Sequence, residues 1–185
     1  ADTLPASPPT APPVNDQGPE SDPAAPSVLS EISQTRPFAR SGEELVVSLL
    51  RTADEAHRFM AGILSAEDLT DQQYNVLRIL RGAGTGGLPT LAIGDRMIER
   101  TPGVTRLVDR LVRKDLVERE RDTQDRRRIV CRITDAGLSV LDRIQPRLDQ
   151  AVADFEAVLS PDVLSDLGRR LDTARQALRE ATPSS

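Results

Sequence analysis

The sequence predicts a mainly α fold, α+β in class, that carries one β-hairpin. Three observations predict it. From residue 41 onward, aliphatic residues recur at helical spacing through several capped segments. One stretch, 116–133, reads instead as two strands around a short polar turn. Aromatic residues make up only 2 % of the chain, so its core must be built from Leu, Val, Ile and Ala, which suits helices.

Residues 1–40 hold nine of the fourteen prolines among Ala, Ser, Asp and Thr. Such a segment buries too little apolar surface to offset its ordering entropy, and it reads as a disordered, solubilising tail. Ser41 with Glu44 fits a capping box that opens a helix to about Leu64. Leu45, Leu49, Ala53, Ala56, Met60 and Ile63/Leu64 form its apolar stripe, broadened by Val46 and Leu50. His57 lies off that stripe and reads as a surface or interface histidine before a ligand contact. Thr70 with Gln73 is a second capping box, for a helix with Tyr74, Leu77 and Leu80 inward. The glycine-rich run 82–87 lacks the Lys-Ser/Thr pair of a phosphate loop and reads as an inter-helix turn. Leu88 and Pro89 allow a very short strand. Thr90 is expected to cap a helix to about Glu99, with Leu91, Ile93 and Met97 on its apolar side and Gly94 permitting close packing.

The next helix, 102–114, takes Thr101 as its expected N-cap and Pro102 at its first position. Val104, Leu107, Val108, Leu111 and Val112 form one face; Gly103, Thr105, Arg106, Arg110 and Arg113 form the other. A small-residue N-terminal turn with an arginine stripe suits entry into a DNA major groove. Strands 116–121 and 127–133 then flank the turn 122–125, with Arg126, Arg127 and Arg128 at the tip. Ile129, Cys131 and Ile133 alternate with Arg128, Val130 and Arg132, which places the first three on the buried face. Thr134 caps a long helix with Leu138, Leu141, Ile144, Leu148, Val152, Phe155 and Leu159 on its apolar face, kinked at Pro146. Ser160 and Pro161 open the last helix, with Leu164, Leu167, Leu171, Ala174 and Leu178 recurring; 182–185 should fray.

Helix, helix, turn, helix, hairpin is a winged helix-turn-helix. The organisation follows: tail 1–40, dimerisation helix 41–68, DNA-binding region 69–133, dimerisation helices 134–181, and a disordered end 182–185. The flanking helices carry more apolar face than one small winged helix can cover, so a homodimer is expected.

The net charge is −5, which taken whole argues against a nucleic-acid binder. The distribution argues for one: residues 96–132 hold 12 basic and 7 acidic residues, a local +5, which leaves −10 for the remainder. One cysteine excludes an intrachain disulfide and fits a reducing compartment. Neither a secretory pattern nor an apolar run of spanning length is present, so a cytoplasmic, nucleoid-associated protein is expected. One His, one Cys, no metal-ligand cluster and no nucleophile elbow argue against an enzyme, a metal or a cofactor.

With these segments in place, the chain resembles the MarR family of bacterial regulators (the multiple antibiotic resistance type). The resemblance covers about residues 43–180. It is carried by GVTRLVDRL at 103–111 and LVERERDTQDRRRIVCRIT at 116–134, with LTDQQYNVLRIL at 69–80 and LSPDVL at 159–164. It implies a triangular homodimer, a recognition helix in each major groove, and wing arginines in the minor groove. It also implies release by a small phenolic or other apolar acid. Carried over, Thr101, Pro102, Gly103, Thr105, Arg106 and Arg110 face the groove. Arg127 is the wing-tip arginine, Arg126 and Arg128 lie near phosphate, and Asp125 orients a wing arginine. The family's ligand position falls near His57 and Tyr74.

The chain departs from the family pattern at Asp115, where glycine is usual, and at Arg128, where a smaller residue is common. Aspartate tolerates the left-handed conformation required at the first of these. No cysteine lies near the first helix, and Cys131 reads as a buried thiol rather than a redox switch. A sequence-specific, dimeric DNA-binding repressor is thus the leading expectation; a winged-helix interaction module that does not bind DNA is the second.

Overall fold

The computed structural model describes residues 27–99, 103–121 and 129–182. The chain divides into two compact units, Ala1–Thr52 and Ala53–Ser185. Helix α2 (Ser41–Leu64) begins in the first and ends in the second.

In the first unit, α1 (Val28–Glu31) is a single helical turn that the sequence reading placed inside the unstructured tail. Ser27 caps it, its hydroxyl accepting from the Ser30 N–H at 3.4 Å. Glu31 meets Arg51 of α2 at 3.1 Å, a local tie that composition does not reveal. Ser41 is not an N-cap: it belongs to α2 itself, and the Arg40 carbonyl accepts from Glu43 and Glu44. Leu45, Val46 and Leu50 of α2 are exposed.

The second unit holds α3 (Asp71–Ala83), α4 (Thr90–Arg96), α5 (Val104–Arg113), β1 (Val117–Arg121), β2 (Ile129–Ile133), α6 (Asp135–Glu156) and α7 (Pro161–Ala181). The order is that of a winged helix. The predicted capping box on α3 forms in full: Gln73 N–H reaches Thr70 Oγ1 at 3.3 Å, and Thr70 N–H reaches Gln73 Oε1 at 3.0 Å. Among the described residues Gln73 is the buried polar side chain of the core, and the bond from Thr70 N–H satisfies its Oε1 there. Leu77, Leu80, Ile93, Val108, Leu111, Val117, Cys131, Leu141 and Ile144 pack around α3 with Leu64.

β1 and β2 pair antiparallel, with Val117 opposite Ile133 and Arg121 opposite Ile129. The short strand expected at Leu88 exists as a bridge to Cys131, whose two backbone bonds measure 2.8 and 2.9 Å. Gly87 (φ +62°) allows it: a Cβ there would lie 2.7 Å from the Cys131 carbonyl oxygen. β2 is therefore flanked on both edges around Cys131. The expected alternation holds in part: Cys131 is buried and Ile133 packs against the core. Val130 is buried with Cys131, whereas Ile129, toward the hairpin tip, is exposed.

α4 begins one residue earlier than expected, so Thr90 is its first residue and Pro89 its cap; it ends at Arg96 rather than Glu99. Ile93 and Met97 are buried as expected, but Leu91 is exposed. A Cβ at Gly94 would stand 3.4 Å from Val104 Cγ2, so α4 and α5 do approach closely at this glycine. Thr134 caps α6, accepting from Gly137 N–H at 3.1 Å, and its hydroxyl donates to the Asp115 carbonyl at 2.7 Å. α6 runs through Pro146; its buried residues are Gly137, Val140, Leu141 and Ile144, while Leu138 is only half-buried. Ser160 and Pro161 open α7 as expected. Val152, Phe155, Val163, Leu167 and Leu178 are exposed. Among the described residues no helix is long and apolar enough to cross a membrane.

Candidate nucleic-acid interface

α5 is a short helix with two chemically distinct sides. Leu107, Val108 and Leu111 are buried, and Val104 and Val112 half-buried. Thr105, Arg106, Arg110 and Arg113 are exposed with Gly103. The predicted division of faces holds. The predicted start does not: α5 opens at Val104, and its cap is Gly103, which adopts φ +103° and makes no side-chain cap bond. Such a conformation is readily available to glycine and lies outside the helical region, so the helix cannot run through Gly103. Thr101 and Pro102, expected as cap and first turn, lie outside the described residues.

The far end of α5 is closed by Asp115 at φ +57°, the left-handed position expected where aspartate replaces the usual glycine. Asp115 N–H bonds the Val112 carbonyl at 3.0 Å, and Leu116 N–H bonds that of Leu111 at 3.0 Å. Lys114 reaches back to Asp68, its Nζ 2.7 Å from Oδ2 and also donating to the Asp68 carbonyl. The ammonium holds the Asp68 carboxyl below its usual range, first through this hydrogen bond and then through charge.

The charges on α5 are sorted. Asp109 is drawn sideways to Arg119 of β1, at 2.6 Å. Among the described residues no ion pair reaches Arg106, Arg110 or Arg113. Among the described residues the helix thus presents three exposed guanidinium groups without an acidic partner, while its one acid braces the adjoining strand. Sequence reading identified the arginines and missed the brace, because a contact between residues ten apart in different elements leaves no periodic trace. The wing tip, with Asp125, Arg126, Arg127, Arg128 and the turn 122–125, lies outside the described residues.

His57 and Tyr74, the other expected site residues, line one cavity of about 330 Å³ with Ala56, Met60, Met97 and Leu148. Arg78 stands over the Tyr74 ring, 5.9 Å from its centroid. His57 sits between two carboxylates that sequence reading did not connect to it. Its Nδ1 is 3.0 Å from Asp71 Oδ2 and its Nε2 is 2.8 Å from Glu99 Oε1. The hydrogen bond to Asp71 raises its pKa above the ordinary 6.5; burial opposes this, and the charges of Glu99, Asp71 and Asp54 add to it. Cys131 is buried as expected, its Sγ 3.7 Å from Thr90 Oγ1.

The MarR family model matches residues 69–129, from just before α3 into β2. A crystal structure of a MarR transcription factor from Planctomyces limnophilus is 35 % identical, covers 75 % of this chain and 99 % of its own, with a TM-score of 0.55. The PcaV transcriptional regulator from Streptomyces coelicolor is 33 % identical over 70 % of this chain and 96 % of its own, with a TM-score of 0.57. The homoprotocatechuate degradative operon repressor of Escherichia coli is 25 % identical over 130 residues, 70 % of this chain and 86 % of the relative.

Proposed function

The chain belongs to the MarR family, and from that premise we propose that it is a homodimeric transcriptional regulator, acting as a repressor at a pseudo-palindromic operator. One observation carries the reading: α5 exposes Arg106, Arg110 and Arg113 without neutralising partners among the described residues, while Asp109 is turned away toward Arg119. A solvated surface helix of ordinary type mixes its charges and pairs them along one face. A stripe of free guanidinium groups suits guanine edges and phosphates.

In this reading α5 enters the major groove with Thr105, Arg106 and Arg110, and Thr101, Pro102 and Gly103 precede it at the DNA. The wing 116–133 brings Arg126, Arg127 and Arg128 to the backbone and minor groove, and Asp125 orients a wing arginine. Residues 69–133 form the DNA-binding region. Segments 41–68 and 134–181 form the dimer, supported by the exposed Leu45, Leu50, Phe155, Leu167 and Leu178. The cavity at His57 and Tyr74 takes a small phenolic or apolar acid effector that weakens operator binding. A repressor name among the relatives supports the sign of regulation.

The test is binding to tiled duplexes from the DNA flanking the chain's own gene, at two salt concentrations. The expected result is a shift confined to one inverted repeat, with half-sites about 34–36 Å apart. Affinity should fall with salt at a log–log slope of about −0.9 per phosphate contacted. Arg110→Ala should weaken binding about 5-fold or more at fixed salt, the lower end of a lost base contact. Absence of binding at low salt overturns the reading in favour of a winged-helix protein-interaction module.

A further inference from the structure

The stretch Met97–Glu99 follows α4 and precedes α5, and polar ties to α2 and α3 hold it in place. Ile98 N–H donates to Asn75 Oδ1 at 2.9 Å. Gln72 Nε2 donates to Glu99 Oε2 at 3.0 Å. His57 Nε2 meets Glu99 Oε1 at 2.8 Å, while its Nδ1 meets Asp71 Oδ2 at 3.0 Å. One imidazole ring therefore joins α2, the start of α3 and the residue four positions before the cap of α5.

A neutral imidazole has one N–H and one lone pair. It can donate to Asp71 or to Glu99, and its bare nitrogen then faces the other carboxylate. Only the imidazolium donates to both. Asp71 has a further stake in that charge, because its Oδ1 is buried without a hydrogen-bond partner. The Asn75 and Gln72 ties are neutral amides and do not titrate. We propose that His57 is a positioning residue for α5: its imidazolium clamps Glu99 to Asp71, and loss of its proton loosens the stretch that precedes α5 in the chain.

The groups facing the ring decide the direction. Asp54 on α2, Asp71 on α3 and Glu99 after α4 place negative charge on it. Arg58 on α2 is engaged with Asp54 and Glu55. Arg78 on α3 is the cation lining the same cavity, and α6 contributes the apolar Leu148. Because the folded-state pKa is raised, the clamp is fully closed below the ordinary value of 6.5 and is lost as pH rises through the higher folded value. Its consequence for operator binding rests on the DNA-binding reading above; the clamp itself does not.

The chain has one histidine, so its Cε1 proton gives a single NMR signal. The full chain would be titrated between about pH 5.5 and 9, spanning the histidine range, as wild type, Glu99→Gln and His57→Gln. In the wild type the signal should titrate above the ordinary midpoint, and Glu99→Gln should lower that midpoint by about 0.5 to 1 unit. The backbone amides of Val104–Arg113 should shift with the same midpoint in the wild type and show no inflection in His57→Gln. An unchanged midpoint in Glu99→Gln, or α5 amides that ignore the titration, overturns the proposal. On the duplex selected by tiling, wild-type affinity should fall about 3- to 10-fold as pH rises through the midpoint, beyond any change in His57→Gln. Matching pH profiles for the two overturn the coupling to DNA. If no variant binds any duplex at any pH, the DNA reading fails, and the two NMR results still decide the clamp.

Discussion

The winged-helix core and the long flanking helices use the same aliphatic alphabet to opposite ends. Around α3, Leu77, Leu80, Ile93, Leu111 and Leu141 are shut away from solvent by the chain's own elements. On α2, the second half of α6, and α7, Leu45, Leu50, Phe155, Leu167 and Leu178 stay exposed at the same helical spacing. Amphipathic periodicity says that a face is made to be covered, not by what. In the first region the chain covers itself. In the second the exposed faces call for a second copy, which is the physical content of the proposed dimer.

The largest expected effect tests the second region. Phe155→Asp with Leu167→Asp should raise the dimer dissociation constant about 1,000-fold, roughly 4 kcal/mol, since four charges enter one interface. Sedimentation velocity over a concentration series reads it. A monomer in which the pair is neutral within about 0.5 kcal/mol would place these residues on ordinary surface. The next effect tests the first region. A Cβ at Gly137 would fall 2.4 Å from the Leu116 carbonyl oxygen and 2.7 Å from Ile133 Cγ1. Gly137→Ala should therefore cost about 3 kcal/mol, read as a lower urea midpoint at fixed protein concentration. The smallest effect refines the boundary of α5. Asp115→Gly removes a side chain from a left-handed residue and should stabilise the chain by about 0.5 to 1 kcal/mol. A loss of stability instead would mean that the Asp115 side chain contributes more than its backbone strain costs.

Much of the core region was legible in the sequence because its signals are local. Thr70 and Gln73 are three residues apart and complete their capping box through one helical turn. The two faces of α5 follow from spacing alone, and Asp115 announces its conformation by standing where a helix must end. The misreadings share a cause. Thr101-Pro102 is a good start for a helix, but Gly103 takes a left-handed backbone and moves the cap two residues on. Alternation in β2 holds at Cys131 and Ile133 but fails at Ile129, which is exposed, and at Val130, which is buried outside the main core cluster. His57 was legible as an unusual histidine, yet its partners Asp71 and Glu99 come from two other segments. Local pattern cannot report a pairing that tertiary packing creates.

The Thr134 junction has a mechanical consequence. Its backbone N–H bonds the Leu116 carbonyl at 3.1 Å and its hydroxyl bonds that of Asp115 at 2.7 Å, so the first turn of α6 is stitched to the exit of α5. α6 has 22 residues and is about 33 Å long, so a swing of about 5° moves one end by about 3 Å relative to the other. In a paired molecule the two such helices would act as the arms of a caliper. A small change of angle where the arms meet would reset the gap between their tips by a base-pair step or two, without any rearrangement inside either tip.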